Sequence, residues 1–394
     1  MIINSISKLE TFCEKEKYIG WDPYDGLNSK IFQRTLFKNS DICRLILIQF
    51  FKRSPFNFRK ILIVPKDYNP KALALFINGY SNLYNLSLIN SKFLFKKNDI
   101  KKKIIFLADK LISLESKEFS GSCWGYNFDW QARRLFYFPK FTPTVVVTSF
   151  CVEALLKAYE ITKNDIYLKK ALSSADFVIN DLKRFTVNNG FLFSYSPLKG
   201  NNRVFNASLL GVKLLAQVYQ YNKKKKYQDI AEKVVSAVCS FQNKDGSWIY
   251  GLNKVQTWID SFHTGYNLES LKIYQNLMGD KKYNENIDRG FNFYINTFFT
   301  KTGIPKYYHN NMYPIDIHSP AQLFITLSKL NKFKENKNLA KKTLEWTINN
   351  MQDKKGYFYY QVKKGFNSKI SYMRWSNAFM FNAMSYYMLE LSGE

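Results

Sequence analysis

The 394-residue sequence lacks the features that mark several other protein classes. Its five cysteines are far apart, odd in number and without a CxxC pair, which argues against a disulfide framework and against a structural zinc site; they are Cys13, Cys43, Cys123, Cys151 and Cys239. No apolar run of about 18 residues occurs, so no transmembrane helix is predicted. The N-terminal stretch has no apolar region of the kind found in secretory signals. These absences favour a cytoplasmic protein.

Acidic residues are scarce. The chain has 31 Asp and Glu against 58 Lys and Arg, which gives a net charge of +27. Such a charge attracts polyanions, whether nucleic acid, anionic lipid headgroups or acidic polysaccharide. No zinc-finger spacing, RNA-binding aromatic signature or basic helix before a heptad repeat is present, so no nucleic-acid partner is predicted. The expected partner is an acidic polysaccharide or oligosaccharide, and peripheral membrane association is a second interpretation of the charge.

Histidine is rarer still, with three in the whole chain. Neither HxxxH nor HxH spacing occurs, and an Asp-x-His pair without a third ligand is common by chance. No phosphate-cradling glycine-rich loop and no nucleophile elbow is present. The sequence therefore predicts no metal site and no cofactor.

Long helical segments of two kinds alternate along the chain. One kind is apolar almost all round, and covers 70–86, 143–159, 206–221, 263–277, 320–333 and 377–391. The other is amphipathic and rich in lysine, and covers 98–114, 165–182, 227–241, 283–299 and 338–351. A helix that is hydrophobic all round is buried on every side, whereas an amphipathic helix covers the outside. The pattern therefore predicts inner and outer helices in alternation.

Each inner and outer pair forms a helical hairpin that cannot bury its apolar face alone. Closing about six hairpins into a ring solves that problem, so the predicted fold class is all-α, an (α/α)6 toroid forming a single domain over 1–394. Residues 1–60 are expected to be an N-terminal arm and first helices that close the ring, with the sixth outer helix around 32–51. Short β-hairpins are predicted on one face, where aromatic-rich links precede the next inner helix at 191–197, 246–252, 303–309 and 356–362. That face should carry the chemistry.

Two of these links carry a short known phrase. The stretch 240–251 (SFQNKDGSWIYG) resembles the QW repeat of triterpene cyclases and protein prenyltransferase β-subunits, and 350–360 is a degraded copy. The Asp-rich catalytic motif of the cyclases is absent. The resemblance supports a toroid, and Gln and Trp at the end of an outer helix can simply staple the turn.

A wider resemblance rests on phrases spread over most of the chain. They are DPYDGLNS from residue 22, WGYNFDWQ from 124, FSYSPLKGNNRVFNASLLG from 193, WIDSFHTGYNLESL from 258, PKYYHNNMYPIDIHSPAQ from 305, and the late RW. Together they look like a bacterial family met among capsule and exopolysaccharide biosynthesis genes. Its architecture is similar to that of six-hairpin glycosidases, uronyl hydrolases and polysaccharide lyases. The resemblance implies a glycan context and an (α/α)6 toroid, and it transfers no mechanism.

Two Asp–His pairs stand at successive inner-helix starts and are the candidate catalytic residues. Asp260 and His263 are spaced to share one helical face, and a carboxylate beside an imidazole gives a general acid/base near neutral pH. Asp316 and His318 repeat the pairing one unit later. The plainer interpretation is that both aspartates cap helices. Trp258, Tyr266 and Tyr313 accompany these pairs as candidate substrate-binding residues.

A long aromatic loop before the second inner helix supplies the next candidates. Asp129 is its best catalytic carboxylate, although pairing with a neighbouring arginine is the alternative. Aromatic faces stack on sugar rings and arginine can clamp a carboxylate. The expected substrate-binding residues here are Trp124, Tyr126, Trp130, Arg133 and Arg134.

The chain ends contribute the last candidates. Trp21, Asp22 and Asp25 lie among turn-forming residues near the N-terminus, where the two acids can also make Asx-turns. Arg374 and Trp375 precede the last inner helix. All five are expected to bind substrate.

Three functions fit these residues. The first is a glycan-active enzyme that acts on an anionic, uronate-containing polysaccharide or its precursor by hydrolysis, elimination or epimerisation. Hydrolysis needs two carboxylates flanking the bond, whereas the other two need a base, an acid and a positive group. The second is a non-catalytic glycan-binding or assembly protein of polysaccharide biosynthesis. The third is an isoprenoid-handling toroid, which would have an apolar central cavity.

Overall fold

The computed structural model describes residues 1–89, 93–132, 136–200 and 203–392. Thirteen α-helices are found in these residues, numbered here in chain order. They are α1 Ile2–Lys15, α2 Asp41–Arg53, α3 Pro70–Ile89, α4 Lys97–Ser113, α5 Val145–Thr162, α6 Asp165–Asp176, α7 Phe205–Asn222, α8 Lys225–Ser240, α9 Ser261–Met278, α10 Asn284–Phe298, α11 His318–Lys329, α12 Lys337–Met351 and α13 Phe379–Ser392. Short 3-10 turns span Asp25–Asn28, Phe32–Arg34, Leu36–Asn39 and Lys334–Asn336, and π-helical turns span Phe177–Asp181 and Met373–Ala378.

Six helices form a closed inner ring. In order around it, α3 packs on α5, α5 on α7, α7 on α9, α9 on α11, α11 on α13 and α13 back on α3. Their apolar sequences explain this position, because every side chain over 145–156 of α5 and over 205–218 of α7 is buried. A helix without a polar face is stable only where other helices surround it. The predicted all-α toroid is confirmed.

The outer layer is formed by helices α4, α6, α8, α10 and α12, each of which follows its inner partner in the chain and packs on it. The sixth outer helix is α1, which packs on α13 and so brings the two ends of the chain together. The prediction that 32–51 supplies this helix is wrong. That stretch instead forms two 3-10 turns and most of α2, which packs on the loops at one end of the ring.

A glycine begins the return from several outer helices, as the sequence pattern indicated. Gly246 has a φ of +92° and Gly356 a φ of +102°, in the left-handed region where a side chain is strained. A Cβ at Gly246 would also collide with the backbone carbonyl of Arg289 in the next outer helix, and one at Gly356 with that of Lys8 in α1. The glycines therefore allow each link to pass close to the backbone of the next outer helix.

Seven short strands lie among the links in the part of the chain that the structure describes. Strands β1 Trp130–Gln131 and β2 Tyr137–Phe138 pair antiparallel, as do β3 Arg184–Val187 and β4 Gly190–Phe193. Strands β5 Ile315–Asp316, β6 Gln361–Lys363 and β7 Phe366–Ser368 form an antiparallel sheet in which Asp316 lies opposite Gln361. Within the described ranges, no helix combines the length and the apolar character needed to cross a membrane.

Candidate functional site

A cavity of about 310 Å³ opens where the inner helices begin. It is lined by first-turn residues of α3, α5, α7, α9 and α11, by the π-helical turn before α13, by the loop that leads into β1, and by α2. The N-terminal ends of several inner helices therefore converge on one space. Each carries the partial positive charge of its helix dipole, which favours a negatively charged ligand.

His263 and Asp260 form a hydrogen-bonded pair at the start of α9. Asp260 is buried and caps the helix, because its Oδ1 accepts the His263 backbone N–H at 3.0 Å. Its Oδ2 lies 2.7 Å from His263 Nδ1 and accepts the Trp258 Nε1–H at 2.9 Å. The His263 ring lines the cavity, while Asp260 lies behind it. The carboxylate can thus fix the orientation of the imidazole.

A second polar chain runs along the same wall. The Tyr266 hydroxyl lies 2.8 Å from His318 Nε2 and accepts a 3.4 Å hydrogen bond from Lys71 Nζ. Burial, together with the positive charges of Lys71 and Arg374, lowers the pKa of His318 well below its usual range, which favours the neutral imidazole. The Phe262 ring packs between the two imidazoles, with centroids 4.0 Å from His263 and 4.4 Å from His318.

Lys71 is the unusual member of this chain. It begins the buried helix α3, and no described carboxylate forms an ion pair with its Nζ. The amine lies 4.0 Å from the centroid of Phe150 and 5.1 Å from those of Tyr266 and Phe379. Burial, then the nearby Arg374 and Lys213, lowers its pKa well below the ordinary lysine value. A lysine in such surroundings can act as a base or nucleophile.

Arg374 reaches the cavity from the π-helical turn and is held by Asp22. Its Nε and Nη2 donate to the two carboxylate oxygens of Asp22 at 2.5 and 2.8 Å. Although burial lowers the pKa of Arg374, the Asp22 carboxylate outweighs it and the net shift is upward, so the guanidinium stays charged. The pair joins the N-terminal arm to the last inner helix.

Two further carboxylates are buried outside the cavity. Asp316 lies behind it, where its Oδ1 accepts the Trp375 Nε1–H at 2.8 Å and the His318 N–H at 2.9 Å. Asp25 pairs with the buried Arg59, whose Nε lies 2.6 Å away. Burial raises the pKa of each to about 6. Their contacts hold loops and cavity residues in place.

Aromatic rings form the remaining walls. Tyr250 stacks on Trp258 with centroids 4.4 Å apart, and Trp130 stacks on Phe138 at 5.1 Å. Among the described residues that line the cavity there is no Asp or Glu. No group of three or more His, Cys, Asp and Glu in the described ranges could hold a metal ion. The chemically active groups of the described residues facing the cavity are imidazoles, phenols, the amines of Lys52 and Lys71, and a guanidinium.

The structure brings together part of the predicted site. Eight predicted residues line the cavity: Tyr126, Trp130, Trp258, His263, Tyr266, His318, Arg374 and Trp375. Asp22, Asp260 and Asp316 lie directly behind these residues and hold them through the contacts above. Asp25 is one layer further out.

Four predicted residues lie elsewhere. Trp124 is fully buried in the core, where its Nε1–H donates to Leu111 O, and the Trp21 indole donates to Val64 O. The Asp129 carboxylate accepts the backbone N–H of Lys140 at 2.8 Å and fixes the loop rather than lining the cavity. Tyr313 is 44% exposed and lies outside the cavity. Arg133 and Arg134 lie outside the described residues.

Sequence reasoning missed several cavity residues, above all Lys71, Lys52, Tyr195 and Tyr250. Lys71 had a recognisable signal, because it is a charged residue in the first turn of an otherwise apolar helix. The tyrosines had none, because tyrosine is abundant throughout the chain.

The QW-like phrase has a structural role here. Gln242 Nε2 donates to Gly246 O and Asn286 O, both at 2.9 Å, and Trp248 Nε1 donates to Val238 O. Gln352 repeats the arrangement with Gly356 O and Ser5 O. Each glutamine therefore hydrogen-bonds both to the turn that follows its own outer helix and to the next outer helix.

No protein-family model matches the chain, and no curated protein matches it. Solved structures do. A cellobiose 2-epimerase from Bacillus thermoamylovorans superposes with a TM-score of 0.64 at 13% identity, over 99% of both chains. A glycoside hydrolase family 76 mannosidase from Bacteroides thetaiotaomicron gives 0.60 at 11% identity, over 99% of this chain and 98% of that one. A polysaccharide lyase gives 0.55 at 12%, over 81% and 90%. At such identities the likeness shows a shared α/α toroid fold.

Proposed function

We propose that this protein is a carbohydrate-active enzyme that moves a proton on and off a sugar carbon, in an epimerisation or an elimination, on an acidic saccharide. One observation carries the proposal. The cavity presents His263, His318, Lys71 and Arg374 among aromatic walls, and no described residue lining it is a carboxylate. The structural neighbours, which include an epimerase and a lyase, make a saccharide the natural ligand class.

Glycoside hydrolysis is disfavoured by the same observation. It requires in most families two carboxyl groups that face each other across the bond, as acid and as base or nucleophile. Asp260 and Asp316 are the predicted catalytic carboxylates behind the cavity wall, and both are buried with their oxygens engaged by Trp258, His263, Trp375 and Gln361. Neither can approach a glycosidic oxygen without breaking those contacts.

Proton transfer at carbon matches the groups that are present. His263, backed by Asp260, is the proposed general acid/base, since the carboxylate stabilises the imidazolium formed when it takes a proton. The Lys71–Tyr266–His318 chain is the proposed second proton carrier. For an epimerisation, one of the two would remove the proton from the carbon and the other would supply the proton that is returned to it. For an elimination, the second would protonate the leaving oxygen.

An acidic substrate suits the charges around the cavity. Removing a proton beside a carboxylate gives an intermediate with extra negative charge, which fixed positive groups stabilise. Arg374 and the inner-helix N-termini supply such groups, and the net charge of +27 draws anions in. A uronate residue fits, and the family resemblance would place it in a cytoplasmic polysaccharide precursor.

The test is solvent isotope incorporation. The protein is incubated in D2O with uronate-containing and neutral oligosaccharides, and the products are examined by NMR and ultraviolet absorbance. Epimerisation places deuterium on the carbon that changes configuration, and elimination gives an unsaturated, absorbing product. Release of reducing ends with neither signal would contradict the proposal and favour hydrolysis.

The matched variants are His263→Asn and His309→Asn. His309 is the one histidine of the chain that does not line the cavity. We expect His263→Asn to lower turnover by about 10²–10⁴-fold and His309→Asn to leave it unchanged. Calorimetric binding of an acidic oligosaccharide without any product would instead support the non-catalytic alternative. The polar groups of the cavity argue against an isoprenoid ligand.

A further inference from the structure

The segment between the N-terminal loop and α3 exposes an unusual amount of apolar surface. On α2, Ile42 is 71% exposed, Ile46 62% and Phe50 44%. Spaced four residues apart, they form one stripe along the helix. The stripe continues into the flanking loops, where further apolar side chains are exposed: Ile31, Leu36, Phe37, Phe56, Ile61 and Ile63. Clustered exposure of large apolar side chains marks an interaction surface.

Direct contacts hold part of this surface together. The Phe50 ring lies 5.2 Å from that of Phe58, which in turn lies 6.4 Å from Phe56. The β6–β7 hairpin adjoins the C-terminal end of α2, because Lys363 Nζ donates to Arg53 O at 2.9 Å. Phe366 of that hairpin is 47% exposed. We call residues 30–66 together with this hairpin the α2 surface.

The α2 surface is strongly basic. Residues 30–66 contain nine Lys and Arg and one acidic residue, Asp41. Arg59 is buried against Asp25, Arg44 bonds Asp41 and Lys66 bonds Glu16. Exposed cations without a carboxylate partner in the described chain remain around the stripe: Lys30, Arg34, Lys38, Arg53 and Lys60.

We propose that the α2 surface docks this protein on an anionic lipid bilayer. An apolar stripe with lysine and arginine beside it is the composition of an interfacial helix, whose apolar side chains enter the headgroup boundary while the cations pair with anionic lipids. The excess of unpaired cations is complementary to such a membrane. The same excess opposes a second copy of this chain as the occupant, because two surfaces of equal charge repel.

The α2 surface lies beside the cavity, so docking there would bring the cavity close to the membrane. The side of α2 next to the stripe lines the cavity through Ile48, Gln49 and Lys52. A membrane held at the stripe would lie beside the mouth of the cavity, at the depth of the headgroups. Resting on the proposed function, this favours a saccharide carried on a lipid as the substrate over a free polymer.

Vesicle co-sedimentation tests the docking without any sugar, so its result is independent of the catalytic proposal. The full chain is mixed with vesicles of phosphatidylcholine alone or of phosphatidylcholine with phosphatidylglycerol. We expect binding to the anionic vesicles that is at least ten-fold stronger than to the neutral ones, and that weakens with salt. Equal binding to both, or binding to neither, would overturn the proposal.

Two triple variants sharpen the result. Ile42→Ser with Ile46→Ser and Phe56→Ser removes three side chains that are 62–71% exposed, and should weaken binding at least ten-fold. The control variant combines Leu88→Ser and Ile89→Ser, at the C-terminal end of α3, with Ile166→Ser in the first turn of α6. These three side chains are 55–67% exposed, and their removal should leave binding unchanged. Thermal melting checks that both fold.

A sedimentation-velocity run completes the test. In the absence of lipid, we expect the protein to sediment as a monomer, because the α2 surface does not bind a second copy. A dimer that the first variant dissolves and the second does not would assign the surface to a second copy and refute membrane docking.

Discussion

At the scale of single residues, two buried lysines close to the same ring have opposite surroundings. Lys213 Nζ is 5.4 Å from the centroid of Phe150 and bridges Glu153 at 2.7 Å and Glu269 at 2.5 Å. Lys71 Nζ is 4.0 Å from the same centroid, and among the described residues its hydrogen-bond partner is the Tyr266 hydroxyl at 3.4 Å. A buried amine without a carboxylate costs free energy, and such a cost is typical of a functional group.

Replacing each lysine by methionine should separate the two roles. Lys71→Met should raise the free energy of unfolding at neutral pH by about 1–2 kcal/mol and lower turnover by about 10²-fold or more, because it removes a buried amine without a carboxylate partner in the described residues, which is also a proposed proton carrier. Lys213→Met should lower that free energy by about 3–5 kcal/mol, since it leaves the buried Glu269 without a cation and Glu153 with Lys329 alone. Chemical denaturation and initial-rate measurements provide both quantities.

The stability gain of Lys71→Met should depend on pH. Burial places the folded-state pKa of Lys71 below its unfolded value, so between the two values the unfolded chain binds more protons. The stability of the parent protein therefore rises with pH across that window, and the gain should shrink towards zero as pH approaches the ordinary lysine pKa. If the stability difference between Lys71→Met and the parent protein does not change with pH, the cost of burying the charged Lys71 amine is not its cause.

At the scale of elements, the start of α9 combines a helix cap with the proposed acid/base. Asp260→Asn keeps a good capping residue but replaces one carboxylate oxygen, so His263 Nδ1 and Trp258 Nε1 lose their shared acceptor. We expect a loss of about 1–2 kcal/mol in stability and of about 10²–10⁴-fold in turnover. Asn164→Ala, which removes the cap of outer helix α6, should cost about 1 kcal/mol and leave turnover intact. Equal loss of activity in both variants would make Asp260 merely structural.

The elements also show how far the sequence could predict this structure. The alternation of apolar and amphipathic helices was sufficient to predict the ring, because burial on all sides is encoded in composition. The same pattern led to a wrong position for the sixth outer helix. The apolar residues of 32–51 look like the buried face of an outer helix, but Ile42 and Ile46 are exposed in the structure. In the site, the Asp–His pairs were visible as local spacing. Asp129 and Trp124 were misjudged, since no local pattern distinguishes an aromatic loop that faces a cavity from one that packs behind it.

At the scale of the whole molecule, the ring closes through charged as well as apolar contacts. Glu153 of α5, Lys213 of α7 and Glu269 of α9 form a buried chain, and Lys329 of α11 donates to Glu153 at 2.8 Å. Four inner helices are thus linked across the ring below the cavity. Since removing one member of such a chain leaves its partners unpaired, the arrangement opposes any other register of these helices.

The net charge of +27 acts over the whole molecule and leads to the last prediction. A positive field that draws an acidic substrate to the cavity accelerates capture more than chemistry, and salt weakens it as the Debye length falls from about 30 Å at 0.01 M to about 8 Å at 0.15 M. For an acidic oligosaccharide, kcat/KM should fall about ten-fold over that range while kcat changes little. A neutral analogue of equal length is the control, and its kcat/KM should stay nearly constant. If salt lowers kcat/KM equally for the two substrates, the net charge does not serve substrate capture. The functional role of the positive charge would then lie mainly in the cations of the α2 surface.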